Sequence, residues 1–453
     1  MATTFYSLLV ILSTVLLLVH ASIHNNAASS AAPPTALLAP ISLDATTSLY
    51  TLTLASPSPS GNSPLMLDLD NSNLWRDCVN PHPYSSPTFK PLFCNETAAC
   101  LAAQSCTSLI CGSAGCYDTC NEVGLAFPAC SNYTCASWAS ISAIQWTMGT
   151  SVWRDTTSLP STDGKNVLST VSIPEFAFLC TDDTLLKGGE GRLPSGVVGG
   201  AGLSRAPIAL PSQIAAKINT ISRKFAYCLP SSPNSHGVIF FGDGPYVFLP
   251  GIDVSKLLRY TPIVSFSKQS DSYFIQIQSI SVNNVSLPIN PSLLTIRRNS
   301  TSRIYEGGTR FSSSIPYTRL APSIYTALAS EFRKASIARG IKPVTAVSPF
   351  DLCFDASTAA STRLGYNVPE IDITLKGKQA VWQIFGANSV VMVNNRVFCL
   401  AFQKMDEFES RAIVIGTYQQ QNGFFQFDLA ANKLGFLPTL LGLQTTCSNF
   451  NFT

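Results

Sequence analysis

Along most of this chain, apolar residues come in short runs cut by Pro, Gly, Asn and Ser. Ser48-Leu49-Tyr50-Thr51-Leu52-Thr53-Leu54 alternates at period two, and Val238-Ile239-Phe240-Phe241 and Ser272-Tyr273-Phe274-Ile275-Gln276-Ile277 have the same turn-rich borders. Period two puts alternate side chains on one face of a pleated strand, so these runs predict β-strands. Helical spacing is rare. The clearest case opens at Pro322-Ser323, places Ile324, Leu328, Phe332 and Ala335 on one face and stops at Gly340; a shorter one covers 211–218. The pattern predicts a mainly β protein with few short helices.

Two halves of the chain carry related features. The first has Gly196-Val197-Val198-Gly199-Gly200 before the short helix, and the second has Ala412-Ile413-Val414-Ile415-Gly416 before Phe424-Phe425-Gln426-Phe427-Asp428 and Lys433-Leu434-Gly435-Phe436. Each apolar-apolar-Gly reads as a buried strand with a glycine where another backbone passes close. Gly242-Asp243-Gly244-Pro245 interrupts the pattern, which divides the chain into an N-terminal lobe, 41–245, and a C-terminal lobe, 246–453. Within the first, Leu65-Met66-Leu67-Asp68-Leu69-Asp70-Asn71-Ser72-Asn73-Leu74-Trp75 reads as a buried strand that delivers one carboxylate, Asp68, to a tight loop.

The N-terminus changes the compartment. Residues 1–22 have the form of a secretory signal, with an apolar run Leu8 to Val19 and small residues in Val19-His20-Ala21 at the cleavage point. No later stretch reaches the roughly 20 apolar residues of a membrane span. Residues 23–40 are mostly Ala, Ser, Asn and Pro and read as a flexible leader. An exported chain suits its 14 Cys, nine of them between Cys78 and Cys135, as disulfides; without a Cys-x-x-Cys pair and with only four His, zinc is the weaker reading. Sequons at Asn95, Asn132, Asn284, Asn299 and Asn451 offer glycan sites on a secreted surface.

Charge and composition remove other classes. The residues are 46% hydrophobic and 12% charged, with net charge +3 and no run of Lys or Arg, so neither nucleic acid nor a membrane surface is an expected partner. The Gly-rich stretches Gly307-Gly308-Thr309 and 197–202 lack a Lys for phosphate, and no Gly-x-Ser-x-Gly elbow occurs. No metal or other cofactor is expected.

The Leu65 to Trp75 stretch resembles the first active-site loop of pepsin-like aspartic proteases, apolar-apolar-Asp-Thr-Gly-Ser-x-x-Leu-Trp. Asp68 falls on the catalytic aspartate, while Leu69 and Asp70 replace Thr and Gly. The resemblance implies a bilobal pepsin-like fold, with one apolar-apolar-Gly strand beside each catalytic loop. It also implies a second loop before Pro316-Tyr317-Thr318-Arg319-Leu320 and the helix at Ser323, where Arg310-Phe311-Ser312-Ser313-Ser314-Ile315 stands. Ser312 falls on the second aspartate. Such proteases need two carboxylates that share one proton, and a serine hydroxyl does not ionise at working pH. Asp70 in an extended segment shares a face with Asp68 but belongs to the same loop, so it is not expected to stand in from the other side. A pepsin flap usually carries a Tyr; 136–160 has none, but has Trp138, Trp146 and Trp153. The expected catalytic set is therefore empty, with Asp68 and Ser312 as vestigial positions.

Further stretches are similar to a plant subgroup of pepsin homologues. They are Ser348-Pro349-Phe350-Asp351-Leu352-Cys353-Phe354, Ser361-Thr362-Arg363-Leu364-Gly365, Ile384-Phe385-Gly386-Ala387-Asn388-Ser389 and the tail Gln444 to Thr453. That subgroup contains the extracellular dermal glycoprotein, basic 7S globulins and inhibitors of microbial xyloglucan-specific endoglucanases, with cereal xylanase inhibitors as more distant relatives. It implies an apoplastic or cell-wall protein without peptidase activity that binds a secreted microbial glycoside hydrolase. In such inhibitors, C-terminal-lobe loops plug the enzyme's cleft, and Arg363 and Arg411 are the contact candidates here. The acidic loop Lys404-Met405-Asp406-Glu407-Phe408-Glu409 runs against that role beside Arg411. Family counterparts also imply a Cys353–Cys399 bridge. Nine clustered cysteines cannot all pair with one another, and one leaving for Cys180 leaves Cys228 to Cys447. An active aspartic endopeptidase and a basic 7S-type storage or peptide-binding protein remain the alternatives.

Overall fold

The computed structural model describes residues 33–80, 83–93, 96, 130–131, 134–143, 146–182, 193–265, 272–300, 305–406 and 410–452. The expected signal at 1–22, most of the cysteine cluster, and Asn95 and Asn132 lie outside them. Where the chain is described, strands predominate and the helices are short, apart from one of 17 residues.

The two halves meet in one antiparallel sheet. Ala36–Leu43 pairs with His236–Gly242, which pairs with Lys224–Cys228. Lys224–Cys228 then pairs across the seam with Phe424–Asp428, followed by Lys433–Leu437 and Arg259–Val264. The seam holds because its strands bury aromatic rings. Phe225 stacks on Phe427 at 4.8 Å between ring centroids, and Tyr227 packs on Phe425 at 5.8 Å. Burying such a side chain contributes roughly 1.5–3 kcal/mol. Cys228 and Cys447 form a disulfide on this sheet and fix the C-terminal tail beneath Phe240 and Phe424.

The first strand corrects one expectation. It begins at Ala36, inside the stretch read as a leader, and Leu37, Leu38 and Ala39 are almost wholly buried. The Ala/Pro/Ser-rich composition of 23–40 hides the run Ala36-Leu37-Leu38-Ala39, whose pairing with Phe240 and Phe241 outweighs its bland sequence.

The long helix, Pro322–Ala338, buries Ile324, Leu328, Phe332 and Ala335, as the spacing predicts, together with Tyr325 and Ser336. Pro322 sits in its first turn, where a missing N–H costs nothing, and Gly340 follows its end at φ +82°. The shorter helix runs Leu210–Lys217. Among the described residues, no helix is long and apolar enough to cross a membrane.

Candidate functional site

In the N-terminal half, the strand Leu65–Asp68 is buried at every position and runs parallel to Gly199–Gly202, with Gly202 opposite Asp68. In the C-terminal half, Thr309–Phe311 runs parallel to Ile413–Ile415, and Ser312 donates its backbone N–H to Ile415 O at 3.0 Å. A side chain on Gly202 would strike the Asn71 carbonyl oxygen at 2.5 Å; on Gly416 it would strike the Tyr317 carbonyl carbon at the same distance. Asp68 and Ser312 thus hold matching places, each a few residues before the backbone that its glycine admits. The glycine matching Gly416 is Gly202, not the Gly199-Gly200 pair that the apolar triplet marks. Gly199 serves the neighbouring strand at Trp75 and Arg76.

The two loops touch. Leu69 donates its N–H to Ser313 Oγ at 2.8 Å, and Asp70 donates its N–H back to Asp68 Oδ1 at 3.1 Å. That back-bond goes with a bend at Leu69 and Asp70, so the loop is not the extended segment that would put Asp68 and Asp70 on one face. The Asp70 carboxylate instead reaches the other half, where Oδ2 meets Arg310 Nη1 at 2.6 Å and accepts from Ser312 Oγ at 3.2 Å. Ser312 and Ser314 hydroxyls lie 2.8 Å apart. Asp68, Asp70 and Ser312 are all essentially inaccessible to water.

Asp68 is the group whose chemistry shifts. Burial, and next the charge of Asp70, push its carboxyl up to about 6, against the hydrogen bonds it accepts from Ser142 and Asp70. Ser142 sits at the tip of the hairpin formed by Thr134–Ile141 and Trp146–Thr162, and gives its N–H to Asp68 Oδ2 at 3.3 Å. Asn73 Nδ2 holds the same hairpin through Trp138 O at 2.8 Å. Trp153 lies further along the hairpin strand and stacks on Phe89 at 4.5 Å. Arg310 is the residue that the pattern does not single out. Its signal is a lone cation two residues before Ser312, matched by the extra acid, Asp70, two residues after Asp68.

The remaining site residues lie apart from this centre. Arg363 is exposed at the tip of a hairpin in which Ser361 pairs with Tyr366 and Thr362 with Gly365. The tip is braced. Thr362 Oγ1 accepts from Leu364 N–H at 3.1 Å and donates to Gly365 O at 2.8 Å, and Ala387 N–H holds Leu364 O at 2.8 Å. Arg411 is half-buried, donates to Tyr305 O at 2.9 Å and lies over the Phe274 ring at 5.1 Å. Cys353 is bridged to Cys399, and Cys78 to Cys180. Asn284 is exposed in a turn, whereas Asn299 gives its side-chain amide to Glu306 and Asn451 gives its own to Asn166.

Two halves with matching parallel strand pairs under loops that touch, joined through one sheet, define the pepsin-like bilobal class. The likeness to the aspartic proteinase from Irpex lacteus supports that fold, at TM-score 0.52 and 15% identity over 91% of this chain and 98% of that one. Residues 50–243 match the family model for the xylanase inhibitor N-terminal domain, and 272–438 match that for the C-terminal domain. The chain belongs to this xylanase-inhibitor family of pepsin-like proteins. It is 39% identical, over 92% of each chain, to a Nicotiana benthamiana protein named probable aspartic proteinase GIP2. Among solved structures it is similar to edgp, with TM-score 0.81 and 39% identity over 93% of this chain and 99% of that one. It is also similar to conglutin gamma, a basic 7S globulin from lupine seeds, with TM-score 0.73 and 29% identity over 93% and 100%.

Proposed function

We propose that this protein is a secreted binding protein without peptidase activity that inhibits a microbial cell-wall-degrading glycoside hydrolase, namely a xyloglucan-specific endoglucanase. The observation that carries this reading is the contrast between a filled centre and a presented arginine. At the centre, Ser312 stands where the second carboxylate belongs, and the one carboxylate beside it, Asp70, is held by Arg310. A proton shared between two acids is the working state of an aspartic protease, and a guanidinium on Asp70 removes it. At the surface, Arg363 is carried on a short, braced hairpin. Most retaining glycoside hydrolases hold two carboxylates about 5–5.5 Å apart in an open cleft. A guanidinium entering that cleft makes charge-assisted hydrogen bonds with both and fills the sugar site. Arg411 is less suited, because the Tyr305 carbonyl and the Phe274 face already engage it.

The test is the inhibition constant against a secreted fungal xyloglucan-specific endoglucanase. Arg363→Ala costs about 2–4 kcal/mol of binding as a buried hot spot, or about 30- to 1,000-fold in affinity. Arg363→Lys recovers only part, since an ammonium cannot make the bidentate contact. An alanine variant as potent as wild type removes Arg363 from the mechanism. One observation favours the peptidase reading instead: Asp68 and Asp70 are both buried, and Asp68 keeps its proton up to about pH 6. Acid cleavage of denatured haemoglobin that is blocked by pepstatin and lost in Asp68→Asn decides for it; no cleavage is the expected result.

A further inference from the structure

Around the base of the Arg363 hairpin, the fold gathers cations from three other segments. Arg339 ends the long helix, and its guanidinium donates to Asn283 Oδ1 at 2.6 Å and Val368 O at 2.8 Å, two residues beyond the hairpin. Lys342 follows in the next segment, with its backbone N–H on Thr358 Oγ1 at 3.0 Å and its carbonyl accepting from Asp355 N–H at 2.9 Å. Arg396 comes from the turn before Val397–Leu400, and its carbonyl accepts from Ala356 N–H at 2.8 Å. The short turn Ala356–Thr358 therefore touches both Lys342 and Arg396 and runs into the hairpin, whose base closes through Asn367 N–H on Ala360 O at 2.8 Å. Lys342, Arg363 and Arg396 are all exposed.

The acids nearby offset only part of this charge. Asp355 is occupied in capping its own turn: Oδ1 accepts from Ser357 N–H at 2.9 Å and from Ser357 Oγ at 2.7 Å. Those bonds first, and then the fields of Lys342 and Arg396, hold its carboxyl below the usual range, so it stays charged beside both cations. Glu370 is exposed at the far end of the segment, where its carbonyl accepts from Asn283 N–H at 2.9 Å. The four exposed cations named here, Arg339, Lys342, Arg363 and Arg396, outnumber the two acids named, Asp355 and Glu370, which leaves an excess of positive charge about the hairpin and its base on a chain whose net charge is only +3.

We infer that Lys342 and Arg396 form a steering surface for the acidic rim of the hydrolase cleft that Arg363 enters. This rests on the inhibitory reading of Arg363 above. The two jobs separate by range. A guanidinium that docks between two carboxylates acts at contact and sets how long the complex lasts. Exposed charges at the base act through water over about one Debye length, near 8–10 Å, and set how often productive encounters occur. Fields of this kind raise association rates by tens- to about a thousandfold and weaken steeply with salt.

The experiment measures association and dissociation rates for the full mature chain against a purified fungal xyloglucan-specific endoglucanase, at low and high salt. Wild type is expected to associate about ten times more slowly at high salt. The charge-reversed Lys342→Glu/Arg396→Glu variant is expected to lose about tenfold in association rate at low salt, to lose most of the salt dependence, and to change dissociation by less than about threefold. Arg363→Ala should do the reverse, with fast dissociation and a nearly unchanged association rate. Both reversed residues lie in water and keep their backbone bonds, so a normal unfolding transition accompanies the result. Tight wild-type binding whose association rate ignores both salt and the double reversal overturns the steering surface and leaves the Arg363 reading standing. No binding by wild type overturns that reading, and this inference falls with it.

Discussion

Arg310 and Arg363 belong to the same half of the molecule and have opposite surroundings. Arg310 is about one-fifth exposed, and its guanidinium meets the fully buried carboxylate of Asp70. Arg363 stands in water at a hairpin tip. The same side chain therefore does different work. Inside, it neutralises an acid that the fold has taken out of water and ties the two central loops together. Outside, it faces solvent. The difference teaches that the centre between the two loops is not an empty one: an ion pair joins the loop of one half to that of the other. Under the proposed function, losses on mutation should fall on stability at the centre and on binding at the tip.

The largest effect expected from this contrast is on Arg310. Arg310→Met strands Asp70 in the interior, and breaking a buried pair from one side typically costs about 3–5 kcal/mol. Replacing both, as Arg310→Met with Asp70→Leu, should recover most of that, because the cost is an uncompensated charge and not the absence of the pair. Denaturant unfolding of the two single variants and the double variant checks this. A single variant as stable as wild type breaks the comparison.

A second prediction sharpens the centre through pH. Asp68 titrates near 6 in the folded protein, against about 3.9 in an unfolded chain. A raised carboxyl pKa means that the native state prefers the protonated acid. Its favourable contribution is complete below about pH 4 and is lost as pH rises through 6. The span corresponds to roughly 3 kcal/mol. Asp68→Asn keeps a neutral side chain at all pH values, so its stability relative to wild type should climb by up to that amount between pH 4 and 7. Unfolding curves at several pH values give the difference directly, and a flat difference would place the Asp68 proton elsewhere.

How much of this was legible before the structure depends on what kind of signal each part carries. The helix at Pro322 and the strands at His236–Gly242 and Phe424–Asp428 follow from local patterns that the fold only confirms. Asp68 and Ser312 could be placed because a loop motif marks each. The first strand was hidden because Ala and Leu in a Pro- and Ser-rich leader give no strong strand signal, and its partner lies some 200 residues away. The Asp70–Arg310 pair was hidden for a related reason. Each residue looks local, and only the meeting of loops from two halves makes them partners. The matching of Gly202 with Gly416 was hidden too, since three glycines crowd within four positions and only register separates them.

The smallest effect expected lies at Asn284, exposed beside the Asn283 that Arg339 holds and unlike the buried seam. Asn283 and Asn284 form the two-residue connection between Val282 and Val285, with φ of +48° and +66°, and Asn is among the few residues that accept that geometry easily. Its amide is exposed, while the amides of Asn299 and Asn451 already donate to neighbouring side chains. In a eukaryotic secretory host, Asn284 should therefore carry glycan more completely than the other two. Testing this by Asn284→Gln would confuse two effects, since glutamine fits a left-handed turn poorly. Ser286→Ala removes the sequon and leaves the turn residue in place; Ser286 is exposed, so stability should change by no more than about 0.5 kcal/mol. Glycopeptide mapping reads occupancy at each asparagine, and the mass of the Ser286→Ala protein should fall by one glycan. Fuller occupancy at Asn299 than at Asn284 would show that the Glu306 contact does not protect its amide, and would remove side-chain hydrogen bonding as a guide to which sequons are used.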